Sequence, residues 1–146
     1  MAQEEKDLVL KDISARLYYG VKISVPVIEK NMIFTVVGIS ESWLRVKNDR
    51  GSIFNVNTAL EFKPYYRPIS SMTEEEIIEF NNIPSTKNYT IIENDLPWDV
   101  AHYKQIDWLN KKMFDYRGFI RSGSALEAPE GMFQLPTNEF VGLPMG

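Results

Sequence analysis

The sequence contains no cysteine, and this absence removes several classes of chemistry at once. Without cysteine the chain has no disulfide framework, no thiolate nucleophile and no cysteine-based zinc or iron–sulfur site. The absence also fits a reducing compartment, so we expect a cytoplasmic protein. No apolar run approaches the roughly 20 residues that a membrane span requires. The acidic start, Met-Ala-Gln-Glu-Glu-Lys, lacks the apolar core of a signal peptide.

Histidine is nearly absent too, since His102 is the only one among 146 residues. Asp99 lies three residues earlier, so both side chains would share one face of a helix. A zinc site needs three or four converging ligands, and no second histidine or cysteine is available. A carboxylate pair such as Asp107 and Asp115 is the other candidate for acid–base chemistry. A glycine-rich phosphate loop and a nucleophile elbow are also lacking. We therefore predict no catalytic residue, no metal and no cofactor, and keep a hydrolase-type acid/His site as an alternative.

What the sequence does contain is typical of a folded protein. Hydrophobic residues make up 44% of the chain and aromatic residues 12%, which argues against disorder. With 146 residues, a single domain spanning 1–146 is the expected organisation. The formal net charge of −4 does not favour nucleic acid as a partner.

The stretch 21–66 predicts a small antiparallel sheet on which the rest of the fold is built. Leu44 and Val46 alternate with Arg45 and Lys47, the period of two expected of a half-buried strand. Residues 32–39 are apolar at nearly every position and predict a central strand covered on both faces. Short strands separated by turns favour an SH3-like or an OB-like β-barrel, and the sequence does not separate the two. The predicted fold class is α+β, with helices packed on one side of the barrel.

Helices are predicted on both sides of the barrel sequence. Residues 10–18 have the period of a short amphipathic helix, with Leu10, Ile13 and Leu17 inside and Arg16 outside. Residues 73–122 form the predicted helical part, and residues 125–146 an extended tail without regular structure.

Within the helical part, Thr73 and Glu76 have the spacing of a capping box, which predicts a solvated helix start. Ile77, Ile78 and Phe80 are expected to supply the buried side of this helix, which ends near residue 82. An edge strand at 89–92 and a longer helix, capped by Asp95 and running to about residue 112, are predicted to follow.

Two segments are the main candidates for contacts with a partner. The first is Lys63-Pro64-Tyr65-Tyr66-Arg67-Pro68, an extended strap stiffened by two prolines, and the second surrounds residues 115–117. One tyrosine of the strap is expected to seal the core and the other to cover the following helix. The predicted partner-binding residues are Tyr65, Tyr66, Arg67, Asp115, Tyr116 and Arg117.

A basic stretch supports a different partner. Residues 100–121 carry five basic and two acidic side chains, interleaved with aromatic residues. Such a pattern is typical either of the solvated face of a helix or of a surface that follows a single nucleic-acid strand. The candidate residues for the second use are Lys104, Trp108, Lys111, Lys112 and Arg121.

Several longer strings in the sequence carry a resemblance to known proteins. They are Arg16-Leu17-Tyr18-Tyr19-Gly20-Val21-Lys22, the strap 63–68 with its continuation Ser70-Ser71-Met72-Thr73-Glu74-Glu75-Glu76, Asp107-Trp108-Leu109-Asn110, Phe114-Asp115-Tyr116-Arg117-Gly118 and Ala125-Leu126-Glu127-Ala128-Pro129-Glu130-Gly131-Met132. With these strings the chain resembles small uncharacterised proteins of Bacteroidetes bacteria and their phages or prophages. The resemblance implies a bacterial or phage origin and brings no activity.

Taken together, these patterns favour a non-enzymatic module that binds another protein or associates with itself. Single-stranded nucleic-acid binding, through the barrel or the basic 104–121 helix, is the first alternative.

Overall fold

The computed structural model describes residues 2–83 and 103–133. The expectations for the edge strand at 89–92, the cap at Asp95, His102 and most of the C-terminal tail fall outside these residues. The described part contains four α-helices and six β-strands: α1 (Gln3–Ala15), β1 (Lys22–Ser24), β2 (Phe34–Ile39), β3 (Trp43–Lys47), β4 (Ile53–Asn57), β5 (Lys63–Tyr66), α2 (Glu74–Asn81), α3 (Tyr103–Lys111), α4 (Phe119–Ser122) and β6 (Leu126–Glu127). The fold is α+β.

The six strands form one sheet in the order β4-β3-β2-β1-β5-β6. Neighbours among β1 to β5 are antiparallel, whereas β6 pairs with β5 in parallel. The sheet is open, with β4 at one edge and β6 at the other, so the predicted closed barrel is not what the described residues form. The tail also differs from the prediction, because residues 126–127 are a strand rather than irregular chain.

One side of the sheet is buried and the other faces solvent. In β3 the buried residues Leu44 and Val46 alternate with three exposed ones, as the sequence period predicted. The prediction that β2 is covered on both sides is wrong, because Val37 is 41% exposed. Its apolar run reflects a bulge between Val36 and Gly38, which shifts the register against β3.

The β3–β4 hairpin is organised by its turn residues. Asn48 accepts backbone hydrogen bonds from Arg50 at 3.0 Å and Ser52 at 2.9 Å through its side-chain oxygen. Gly51 has a φ of 89°, in the left-handed region that glycine adopts without strain. The turn thereby fixes the register of β4 against β3.

Helix α1 lies against the buried side of the sheet, but it is placed differently from the prediction. It begins at Gln3 and ends at Ala15, and residues 17–19 form a separate 3₁₀ turn that Gly20 closes with a φ of 82°. Its buried apolar residues are Val9 and Ile13. Arg16, predicted to lie outside, is fully buried.

A second, smaller apolar cluster joins α2 and α3 around Trp108, Leu109 and Phe114. The capping box of α2 is confirmed: Glu76 donates its backbone N–H to the Thr73 hydroxyl at 3.1 Å, and its carboxylate accepts from the Thr73 backbone at 3.0 Å. The helix ends at Asn81, also as predicted.

The prediction for the buried side of α2 is confirmed for Phe80, whose ring centre lies 5.4 Å from that of Trp108, and wrong for the two isoleucines. Ile77 and Ile78 are 45% and 61% exposed, and Glu76 is the residue buried there. Glu76 is buried because its carboxylate pairs with Arg67, which lies outside the helix.

Candidate binding surface

The structure brings the two predicted contact segments together. Arg67 donates its backbone N–H to the carbonyl of Met113 at 2.8 Å, and Asp115 donates to the carbonyl of Arg67 at 2.9 Å. These bonds extend β5 by an isolated bridge between Arg67 and Phe114. Residues 65–67 and 113–117 are therefore adjacent, as parts of one intramolecular contact.

Arg67 is only 8% exposed and is held by groups of its own chain. Its guanidinium donates to both carboxylate oxygens of Glu76, at 2.9 and 2.7 Å, and lies 4.1 Å from the ring centre of Phe114. Burial raises the pKa of Glu76, but the bonds from Arg67 and the Thr73 backbone outweigh it, so the pKa lies below its ordinary value. The bidentate pair thus ties β5 to α2.

Arg16 occupies a comparable position on the other side of β5. Its guanidinium lies between two rings, 4.1 Å from the centre of Tyr66 and 5.0 Å from that of Tyr116. Asp12 is its ionic partner at 3.1 Å, and Asp12 also lies 3.1 Å from Arg117. Burial, together with the charge of Asp12, raises the pKa of Tyr66 well above its ordinary value. This cluster fastens α1 to the sheet.

Asp115 is also used within the chain. Its two carboxylate oxygens accept from the backbone N–H groups of Phe119 at 2.9 Å and Ile120 at 2.8 Å, at the start of α4. Tyr116 donates to Asn110 at 2.8 Å. Among the six predicted contact residues, Tyr66, Arg67 and Asp115 are buried. Their side chains pack within the chain and do not form an exposed contact surface.

The basic stretch is divided by the structure. Trp108 is 9% exposed, stacked on Phe114 with ring centres 5.8 Å apart, so it cannot stack on a base. The Lys112 ammonium lies over the ring of Trp108, 5.8 Å from the ring centre. Lys104, Lys111 and Arg121 are exposed. The aromatic component of the predicted nucleic-acid surface is therefore missing at Trp108.

One cavity among the described residues, of about 200 Å³, lies beside Arg67, Pro68 and Ser71 and is also lined by Glu127 and Glu130. Another, of about 460 Å³, lies along α3 beside Asp107. Asp107 accepts a hydrogen bond from the Tyr19 hydroxyl at 2.7 Å, which raises the pKa of that tyrosine. Within residues 2–83 and 103–133, no three acidic or histidine side chains are placed to hold a metal ion.

The solvent-facing side of the sheet is the most distinctive exposed surface. We call it the outer face; it consists of the outward residues Lys22, Thr35, Val37, Trp43, Arg45, Lys47, Ile53, Asn55 and Asn57. Three of these residues are basic and none is acidic. Trp43, Val37 and Ile53 are 36%, 41% and 50% exposed, so large apolar side chains lie among the cations.

The strand register arranges these side chains in rows across the sheet. Lys22, Thr35, Lys47 and Ile53 form one row, in which the Lys22 ammonium lies 3.0 Å from the Thr35 hydroxyl. In the next row Gly38 lies opposite Arg45, where an added Cβ would come within 3.2 Å of the arginine Cβ. The bulge and Gly38 together leave Arg45 free to lie flat across β2.

The sequence contained the signal for this surface. The exposed residues Arg45 and Lys47 follow Trp43 at intervals of two, which a strand places on one side. Sequence reasoning used the alternation to find the core and overlooked the residues opposite it. The rows themselves depend on a register that pairs residues distant in sequence.

No helix in the described residues is long and apolar enough to cross a membrane. Comparisons with protein-family models, with curated proteins and with solved structures found no match.

Proposed function

We propose that the protein is a non-enzymatic binding module, which associates with another protein or with itself through its sheet. The surface used is the outer face together with the adjoining free edge at β4. The single observation that supports this most strongly is the composition of the outer face.

Interfaces are enriched in tryptophan and arginine and depleted in acidic residues and lysine. The outer face has the first three of these features, because Trp43 and Arg45 lie in neighbouring rows and no carboxylate lies among its residues, while its two lysines depart from the fourth. The exposed apolar surface of Trp43 and Ile53 is in contact with water, and a partner that covers it would remove it from water.

The non-enzymatic part of the proposal is supported by what the buried charges do. Asp12, Glu76 and Asp115 each bind a cation or backbone N–H groups of their own chain. Every one of them stabilises a contact between elements, so none is available to exchange protons with a substrate.

Affinity capture from cells that naturally express the chain would test the proposal. We expect a protein partner, or a second copy, to be captured by the natural chain and lost from a Trp43→Ala, Arg45→Glu variant. Tyr103→Ala is the matched control, because Tyr103 is an aromatic residue 58% exposed on α3, outside the sheet. Equal capture by all three chains would contradict the role of the outer face.

Single-stranded nucleic-acid binding is the second candidate function. The outer face is a better candidate surface for it than the basic 104–121 helix. Lys22, Arg45 and Lys47 supply cations, and Trp43 supplies a ring on which a base can stack. Three neutralised phosphates predict a slope of about −2 for the logarithm of affinity against the logarithm of salt concentration.

Fluorescence anisotropy with a labelled single strand at low salt tests this candidate. Binding that Trp43→Ala weakens and that follows this salt dependence would support it. The absence of binding at micromolar protein would remove it.

Two finer expectations belong to the proposal as well. The antiparallel order β4-β3-β2-β1-β5, in which the fifth strand returns to the first, supports an SH3-like rather than an OB-like arrangement. The resemblance to proteins of Bacteroidetes and their phages supports a role in a mobile-element context, inside the cell.

A further inference from the structure

The free edge of the sheet supports an inference about which partner the sheet binds. This inference rests on the proposed binding function. Strand β4 pairs with β3 over all five of its residues. Within residues 2–83 and 103–133, no strand pairs with its other side.

Hydrogen bonds beyond the two ends of the β3–β4 pair fix its bonding pattern. Asn48 donates its backbone N–H to the carbonyl of Ser52 at 3.0 Å, and Thr58 donates to that of Ser42 at 3.0 Å. Hydrogen-bonded and non-hydrogen-bonded pairs alternate along antiparallel strands. The residues of β4 at even positions therefore direct their backbone groups toward β3.

The backbone groups of the odd positions point away from the sheet. Phe54 and Val56 are bonded to β3, whereas the N–H groups of Ile53, Asn55 and Asn57 and the C=O groups of Ile53 and Asn55 have no backbone partner among the described residues. The Asn57 carbonyl already accepts the Leu60 N–H at 3.0 Å. Such unpaired groups along an edge are a template for another strand.

Proteins usually protect such an edge, and β4 is not protected. It contains no lysine, no proline and no bulge, and all five residues are uncharged. The opposite edge differs, because β6 has only two residues and is followed closely by Pro129. Short strands and prolines are common ways to prevent edge pairing.

We propose that a second copy of this chain binds the β4 edge, the two β4 strands pairing antiparallel about a two-fold axis at Asn55. Asn55 then lies opposite Asn55 of the partner subunit, and Ile53 opposite the partner's Asn57. In this register the free groups form four backbone hydrogen bonds between the subunits: each Asn55 N–H donates to the partner's Asn55 carbonyl, and each Asn57 N–H donates to the partner's Ile53 carbonyl.

The side chains of β4 are complementary to themselves in this register. On the buried side, Phe54 lies opposite the partner's Val56, so the half-buried phenylalanine is covered by an apolar group. On the outer face, amides lie opposite amides at the axis. The nearest arginines, Arg45 of each copy, lie three strand spacings apart, or about 14 Å. This exceeds the screening length of about 8 Å at physiological salt.

Sedimentation velocity from micromolar to millimolar protein tests the proposal. The natural chain should form a dimer as concentration rises. Asn55→Pro removes an N–H that β3 does not use, so the variant should keep its circular dichroism spectrum and weaken the dimer at least about tenfold, or 1.4 kcal/mol. Asn55→Thr is the matched control, since it keeps the N–H and should keep the dimer.

A charge pair at the axis tests the register directly. N55K and N55D chains should each dimerise more weakly than the natural chain, because each places like charges opposite one another. An equimolar mixture of the two should restore a dimer that contains one copy of each. A restored dimer supports the proposal, and a mixture that stays monomeric overturns it.

Other outcomes separate this inference from the proposed function. A natural chain that is monomeric at every concentration overturns the dimer. If that monomer still captures another protein through Trp43, or through a strand of that protein on β4, the binding function stands without the dimer. A monomer that captures nothing overturns both.

Discussion

Two arginines determine how the elements of this protein are joined. Arg67 ties β5 to α2 through Glu76, and Arg16 ties α1 to β5 through Asp12 and the ring of Tyr66. Buried charges are costly unless they are paired, and removing one member of a pair leaves the other uncompensated.

Glu76→Gln should change the acid dependence of stability. The pKa of Glu76 is lowered in the folded chain below its ordinary value of 4.5, so its contribution is complete above that pH and lost as pH falls through the folded pKa. The variant should be about 2 kcal/mol less stable at neutral pH. The difference should shrink in acid.

Urea unfolding at a series of pH values measures this difference. Glu75→Gln, at an exposed position of the same helix turn, is the control and should change little. A Glu76→Gln deficit that is independent of pH would contradict the assigned ion pair.

Arg16→Met should destabilise the fold by about 3 kcal/mol, because it leaves the Asp12 carboxylate buried with only Arg117 beside it. Adding Asp12→Leu should recover part of that loss, since two apolar side chains then replace the pair. Arg117→Met should cost less than about 1 kcal/mol, because the Arg117 side chain is 43% exposed. Thermal unfolding of the natural chain, the two single variants and the double variant measures these differences in stability. A double variant less stable than Arg16→Met would refute the pairing of Arg16 with Asp12.

At the scale of elements, local signals in the sequence were read correctly and long-range ones were not. The capping box at Thr73 and the alternation of β3 depend on residues close in sequence. The burial of Arg16 and Glu76 depends on partners 100 and 9 residues away, so helical period alone assigned them to solvent. Likewise, strand alternation does not reveal whether a sheet closes.

Gly51→Ala tests the hairpin that presents β4. The residue has a φ of 89° and nothing lies within 4 Å of an added Cβ, so the cost is backbone strain alone, about 1 kcal/mol. Gly51→Asn should cost less, since asparagine tolerates positive φ better. Urea unfolding distinguishes the two variants, and equal stability of alanine and glycine at this position would contradict the turn geometry.

At the scale of the whole molecule, the described residues form an open sheet with one buried side and one solvent-facing side. Helix α1 and residues Met113, Phe119 and Ala125 pack on the buried side, and α2 and α3 meet in the separate cluster around Trp108. The outer face and the β4 edge adjoin one another, so a partner that adds a strand at β4 also brings its own surface beside Trp43.

Residue-by-residue amide hydrogen exchange along β4 is the most direct test of the claim that the β4 edge is free in one chain and pairs with a second copy. In dilute protein, the amides of Phe54 and Val56 should be protected by β3, and those of Ile53, Asn55 and Asn57 should exchange rapidly. As concentration rises, the amides of Asn55 and Asn57 should become protected. Protection of all five amides at the lowest concentration would show that the edge is already covered within one chain and would contradict the account.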